Sequence, residues 1–294
     1  MIRQFAQKLI KSTAQAPLSL QIPSYSFNKS SKNYEDMLRD QEKQNRASDE
    51  LSRNYGMTKF MQRTYITTGL SIVGALSTSF AVMSIPALAA SMMPLAVAGC
   101  ISTLVGFIGT SFTQPTDVVE EESIPPNQKV SILKTVNSPF RHALHGLGVV
   151  GLGLSAAPLF ALAAMVNPSI LPTCIGLTTA IFGGASLIAY SQPAGQMLKY
   201  GRVLTGGLFG LIGLQIVGML TTLVMGPNPF SMMLFRADTY LGIALFSAFI
   251  AYDTHAAMQM YQMGRADHLG MAGQFILDFW NILVRLVSIF INRD

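Results

Sequence analysis

Two carboxylates near the C-terminus stand inside apolar runs long enough to cross a bilayer: Asp253 in FIAYDTHAAM and Asp278 in FILDFWNILVRL. Arg285 follows Asp278 by seven residues, so the two share one face of a helix. Ionisable groups inside membrane spans are costly, and they mark functional sites. If the carboxylates face each other in a poorly solvated site, they repel when both are ionised, so the pair holds one shared proton and titrates as a unit. Such a pair is a pH latch. Deprotonated, its oxygens suit a hard cation such as calcium, whose shell of about six to eight oxygens would need waters or backbone carbonyls as well. Structural roles compete with this chemistry. Asp253 could cap a helix end or pair with His255 or an interfacial arginine, and Asp278 could pair with Arg285.

The elements that must position these residues are membrane helices. Only 12% of the residues are charged and half are apolar, against about 25% charged in an ordinary soluble domain; the mean hydropathy is +0.40. No Asp, Glu, Lys, Arg or His occurs in 65–116, 146–198 or 203–235. Uncharged apolar runs of about 20 residues are membrane spans. The spacing predicts an all-α, polytopic protein with seven spans at 65–85, 92–112, 143–166, 169–190, 203–225, 233–254 and 271–291. One long acidic loop, with Asp117, Glu120, Glu121 and Glu122, separates spans two and three. Spans six and seven are antiparallel and joined by a short polar connection, which sets Asp253 and Asp278 at similar depth.

Residues 1–33 form an amphipathic basic segment: Ile2, Phe5, Leu9 and Ile10 recur at helical spacing among Arg3, Lys8 and Lys11, with no acid before Glu35. This pattern is that of a mitochondrial targeting segment. Residues 34–64 mix both signs and read as a solvated polar helix, leaving 65–294 as the membrane domain. With seven spans, 17 of the 20 Lys and Arg fall on the side of the N-terminus. Basic loops stay on the side of synthesis, which for a mitochondrial inner-membrane protein places the N-terminus in the matrix. The bilayer is one partner, and residues 1–64 are where protein partners of a larger complex would bind. Nucleic acid is excluded, because no basic stripe is interleaved with aromatics. Cys100 and Cys174 lie in predicted spans and imply neither a disulfide framework nor a zinc site. Glycines at 206, 207, 210 and 213, at 146, 148, 151 and 153, and at 183–184 predict close helix packing within one bundle. The seventeen methionines fill gaps in such a bundle.

YDTH at 252–255, followed by LDFWNILVRL at 277–286, resembles the Bax-inhibitor family of seven-span proteins. Members carry a YDTQ-like motif at the end of the sixth span and an Asp with an aliphatic-Asn-aliphatic-aliphatic-Arg pattern in the seventh. Arg63–Thr64–Tyr65 opening the first span also fits. The targeting-like start and the histidines His142 and His145 near the third span resemble the family's mitochondrial branch, the growth-hormone-inducible transmembrane protein type. The resemblance implies six helices around a central seventh, and a pH-sensitive calcium leak or calcium/proton exchange with Asp253 and Asp278 as the proton-sensing, cation-contacting pair. Tyr252, His255 and Arg285 would support it. Two departures stand out: His255 replaces the usual Gln, and the second span lacks the arginine that some homologues place near the aspartates. Arg285, two turns beyond Asp278, is the substitute at hand. No cofactor is implied beyond calcium as a transported ligand, and no enzymatic activity is expected, since neither aspartate lies in the GxGD context of an intramembrane aspartyl protease. The alternative to transport is an accessory subunit of a larger inner-membrane assembly, such as a respiratory complex.

Overall fold

The structure, a computed structural model, describes residues 31–124 and 128–292. Most of the predicted targeting segment, residues 1–30, lies outside the described residues. The helices are α1 (Ser31–Ser84), the short α2 (Pro86–Ala90), α3 (Met92–Phe112), α4 (Pro139–Val166), α5 (Ile170–Tyr190), α6 (Gly201–Met225), α7 (Pro229–Gln262) and α8 (His268–Ile291), with a 3-10 turn at Gln196–Tyr200. All but α2 are long and apolar enough to cross a membrane, which gives seven spans among the described residues. Their starts are written in the sequence. Pro139 and Pro229 open α4 and α7, where a missing N–H costs nothing. Ser138 accepts from Arg141 N (3.2 Å), and Asn228 and Ser231 form a reciprocal capping box.

Contacts divide the chain into two units, Met1–Ala47 and Ser48–Asp294. The described part of the first is exposed helix carrying Lys43–Asp40 (3.3 Å) and Arg46–Glu42 (3.9 Å) pairs one turn apart, the arrangement expected of a polar helix in water.

In the second unit α8 is the central element. More than half of its most apolar stretch is buried inside the protein (56%), against 11% for α6. Phe275, Ile276, Ile282, Leu283 and Val287 of α8 are fully enclosed, and the last four share one core with Phe160 of α4, Cys174 of α5 and Ile250 of α7. Phe182 of α5 meets Phe275 and Phe279 edge-on, and Tyr65 of α1 stacks on Phe275. Outward side chains such as Val203, Phe209 and Leu223 are exposed, as expected of surfaces that face hydrocarbon.

Lipid is as apolar as Leu, so close packing and hydrogen bonds must hold the helices together. Glycines do this between α3 and α4. A Cβ at Gly106 would overlap the Gly148 backbone, and one at Gly151 would lie 2.5 Å from Thr103 N. Gly106→Ala is therefore expected to destabilise the bundle by about 1–3 kcal/mol or more, read as a lower thermal midpoint in detergent. A Cβ at Gly153 would strike α1, and Ser79 of α1 donates to Gly153 O (2.7 Å). The packing expected of the other glycines is corrected. Gly146, Gly183, Gly184, Gly206, Gly210 and Gly213 would meet nothing within 4 Å, while Gly207 packs against Leu245.

The predicted acidic loop is also corrected: it is an antiparallel hairpin, β1 (Thr116–Ile124) with β2 (Gln128–Val136), in register from Thr116↔Val136 to Ile124↔Gln128. Val130 and Ile132 alternate into the protein and are buried, while β1 presents acids. Lys134 bonds Glu120 (2.8 Å) and holds its carboxyl below the ordinary carboxylate range. The hairpin docks on α1 and on the end of α7. Tyr55 and Lys59 reach Glu122 (3.1 and 3.5 Å), and Leu133 N donates to Tyr261 Oη (3.2 Å).

Candidate functional site in the α6–α7–α8 cavity

α7 and α8 run antiparallel from a short connection, and Asp253 and Asp278 each lie about three helical turns from it. Equal depth follows from equal spacing. Side-chain direction follows from periodicity: Asp238, Gly242, Phe246, Phe249 and Asp253 recur at three, four or multiples of those steps on α7, as Gln274, Asp278, Asn281 and Arg285 do on α8. These faces meet at a cavity of about 620 Å³, lined on its third side by Leu208, Leu211, Ile212 and Gln215 of α6. Asp253 and Asp278 both line it. They are 9% and 6% exposed, so little of either charge is left to the surroundings. Asp278 Oδ2 is buried without a hydrogen-bond partner among the described residues, an arrangement that native proteins rarely leave unexplained.

The supporting residues divide. Tyr252 lines the cavity, and its ring occupies the space left by Gly201 at the start of α6. His255 is fully buried off the cavity, and among the described residues neither ring nitrogen has a hydrogen-bond partner; it does not pair with Asp253. Arg285 lines the cavity but does not take a place beside the aspartates, nor does it pair with Asp278. Its Nη1 donates to Asn281 Oδ1 (2.9 Å) and Nη2 faces Asp238 Oδ1 (3.5 Å). Gln215 donates to both Asp238 oxygens (3.2 Å each), and Gly242 leaves the slot in which the guanidinium lies, since a Cβ there would overlap its Nε. Asp238 thus belongs to the site and was missed from sequence. Its signal was an acid inside the sixth predicted span, spaced at helical intervals from Asp253.

A second polar cluster, also unread from sequence, ties down the α7–α8 connection. Asp267 caps α8 by accepting from Gly270 N (2.9 Å) and takes two bonds from Arg141 of α4 (2.7 and 2.5 Å). Arg141 is 1% exposed, also bonds Asn137 Oδ1, and donates Nε–H to Thr110 O at the end of α3 (3.2 Å). Thr135 of β2 bonds Asp117 (2.7 Å) and Ala266 O, and Ala266 N donates to Asp117 (3.4 Å). Of the two histidines near the third span, His142 is exposed, and His145 is buried with Nε2 2.8 Å from Ser71 Oγ. Among the described residues no group of three or more His, Cys, Asp or Glu is placed to hold a metal ion.

Comparison with known proteins agrees with this architecture. Residues 57–294 match the family described as Inhibitor of apoptosis-promoting Bax1. The chain is 30% identical over 137 residues to Bax inhibitor 1 of Mus musculus, covering 47% of this chain and 54% of that protein. It is 30% identical over 141 residues to Bax inhibitor 1 of Homo sapiens, covering 48% and 55%. For Bax inhibitor 1 of Oryza sativa subsp. japonica the figures are 29% over 141 residues, 48% and 54%. The chain thus spans about half the length of the curated relatives it matches. With seven long apolar helices among the described residues, α8 the most buried of them, and a family match that runs from Met57 through both aspartate motifs to residue 294, this chain belongs to the Bax-inhibitor family of membrane proteins.

Proposed function

We propose that the protein passes cations, calcium foremost, across the mitochondrial inner membrane under the control of pH, with Asp253 and Asp278 as the gate. One observation carries this reading: two buried carboxyls from neighbouring antiparallel helices open on the same cavity, and one of them has an oxygen with no partner. While the pair holds a proton, the carboxyls attract and keep α7 against α8. Loss of that proton makes them repel, and their oxygens become free for a hard cation. A two-carboxylate site lacks most of a calcium shell, which suits passage, since conduction needs a site weak enough to leave. The acid-free basic start and the concentration of Lys and Arg on one side support the inner membrane with the N-terminus in the matrix.

The test is calcium entry into dye-loaded liposomes carrying the purified full chain, across a pH series. Flux should rise with pH as the pair loses its proton. No flux at any pH, together with co-purification in a larger inner-membrane assembly, would favour the accessory-subunit role.

A further inference from the structure

The cavity already holds one organic cation, supplied by the chain itself. The Arg285 guanidinium lies over the Phe246 ring (5.0 Å to its centre) and faces Asp238. A carboxylate, an aromatic face and a cation make a recurrent mode of ammonium and guanidinium recognition. Carboxylates and aromatic faces recur nearer the α7–α8 connection, where no Lys or Arg is paired with them among the described residues. Phe249 and Tyr252 meet edge-on (6.3 Å) beside Asp253, and Asp278 comes from α8. Arg285 is committed to Asp238 and Asn281, and Asp278 Oδ2, buried at this end, has no partner among the described residues.

We infer that this end of the cavity binds a protonated amphiphilic amine, with its ammonium between Asp253 and Asp278 and its apolar body along Leu208, Leu211 and Phe249. Three features favour this occupant. A carboxyl pair sharing one proton carries one net negative charge, which a monocation balances. An alkylammonium has three donors, so two carboxyls answer most of its demand; calcium asks for about six to eight oxygens. The volume of about 620 Å³ is far more than a bare ion occupies, and it falls in the range of about 300–1,000 Å³ typical of small-molecule sites with apolar walls and a few fixed polar groups. A lipid chain could fill the walls but would leave the carboxyls unanswered.

The inference goes beyond calcium passage and does not rest on it. The test uses the full chain in detergent and its sole tryptophan, Trp280, which is buried two residues from Asp278. Octylamine and octanol are titrated in parallel at neutral pH, following Trp280 fluorescence and the thermal midpoint. Octylamine should give a saturable fluorescence change and a raised midpoint, and octanol should give neither. Asp253→Asn and Asp278→Asn should each weaken octylamine binding by about tenfold or more, the loss of one charge-assisted hydrogen bond. Equal responses to octanol and octylamine would overturn the inference, as would folded Asn variants that bind octylamine like the wild type. If either variant fails to fold, the octanol comparison on the wild type decides. Selective amine binding without calcium flux leaves this inference standing and removes the transport reading; calcium flux without amine selectivity does the reverse.

Discussion

Asp253→Asn and Asp278→Asn, each alone, are expected to abolish the pH dependence of calcium flux and to lower flux at alkaline pH by about tenfold or more, the loss of about 1.4 kcal/mol or more at the site. Asparagine keeps the shape of the carboxyl but cannot ionise, so either substitution removes the coupled titration and half of the cation's oxygen charge. Because both acids act as one unit, the double variant should be little worse than either single, a strongly non-additive result. Stability should move the other way. At alkaline pH, where the pair has lost its proton, neutralising one member relieves repulsion, and an amide N–H can answer Asp278 Oδ2, which has no partner among the described residues. The thermal midpoint in detergent is therefore expected to hold or rise in Asp253→Asn. Activity lost while stability is kept is the pattern of a functional site rather than a structural one. Unchanged pH-dependent flux in both folded single variants would sink the gate.

The largest stability effect is expected at Arg141. It is buried, its two Nη groups bond Asp267, and its Nε bonds the last turn of α3. Arg141→Ala would leave the Asp267 carboxylate without its cation at the junction of α4, the hairpin and the α7–α8 connection. Breaking a buried pair by removing one partner costs about 3–5 kcal/mol, read as a large drop in the thermal midpoint or as loss of folded yield. Arg141→Lys should recover little, because a lysine cannot bridge two oxygens in parallel and also reach Thr110. Arg141→Met combined with Asp267→Asn should be milder than Arg141→Met alone, since no unpaired charge remains. If the single and double variants melt alike, the pair is not what secures the connection.

Sequence makes the membrane part of this fold legible for a physical reason. A helix in lipid must satisfy all its own backbone hydrogen bonds within one continuous apolar segment, so hydropathy alone locates it. The same argument is silent about where a helix continues into water. The polar stretch 34–64 and the first span are one helix from Ser31 to Ser84, because backbone bonding does not stop where the lipid does. Asp253 and Asp278 stood out because each charge sits alone in an apolar run. Asp238 did not, lying two residues from Arg236 near a predicted span boundary, where a charge reads as an anchor. Arg141 and Asp267 each looked like loop charges. They are 126 residues apart in the chain, and nothing local tells one of the other. The hairpin was hidden by its acids: Glu120, Glu121 and Glu122 suggested a solvated loop, although Val130 and Ile132 alternate as a half-buried strand does.

The position of α8 at the centre has a consequence for how the molecule is made. The helix that fills the core is the last of the seven to leave the ribosome, so α1 through α7 must wait in the bilayer around an incomplete interior. During that wait Phe160, Ile250 and Phe182 lack the α8 side chains that cover them. A chain stopped before His268 would carry a raw apolar seam where α8 belongs, and Asp267 without the helix it caps. Arrival of that 24-residue helix is therefore the step that closes the core.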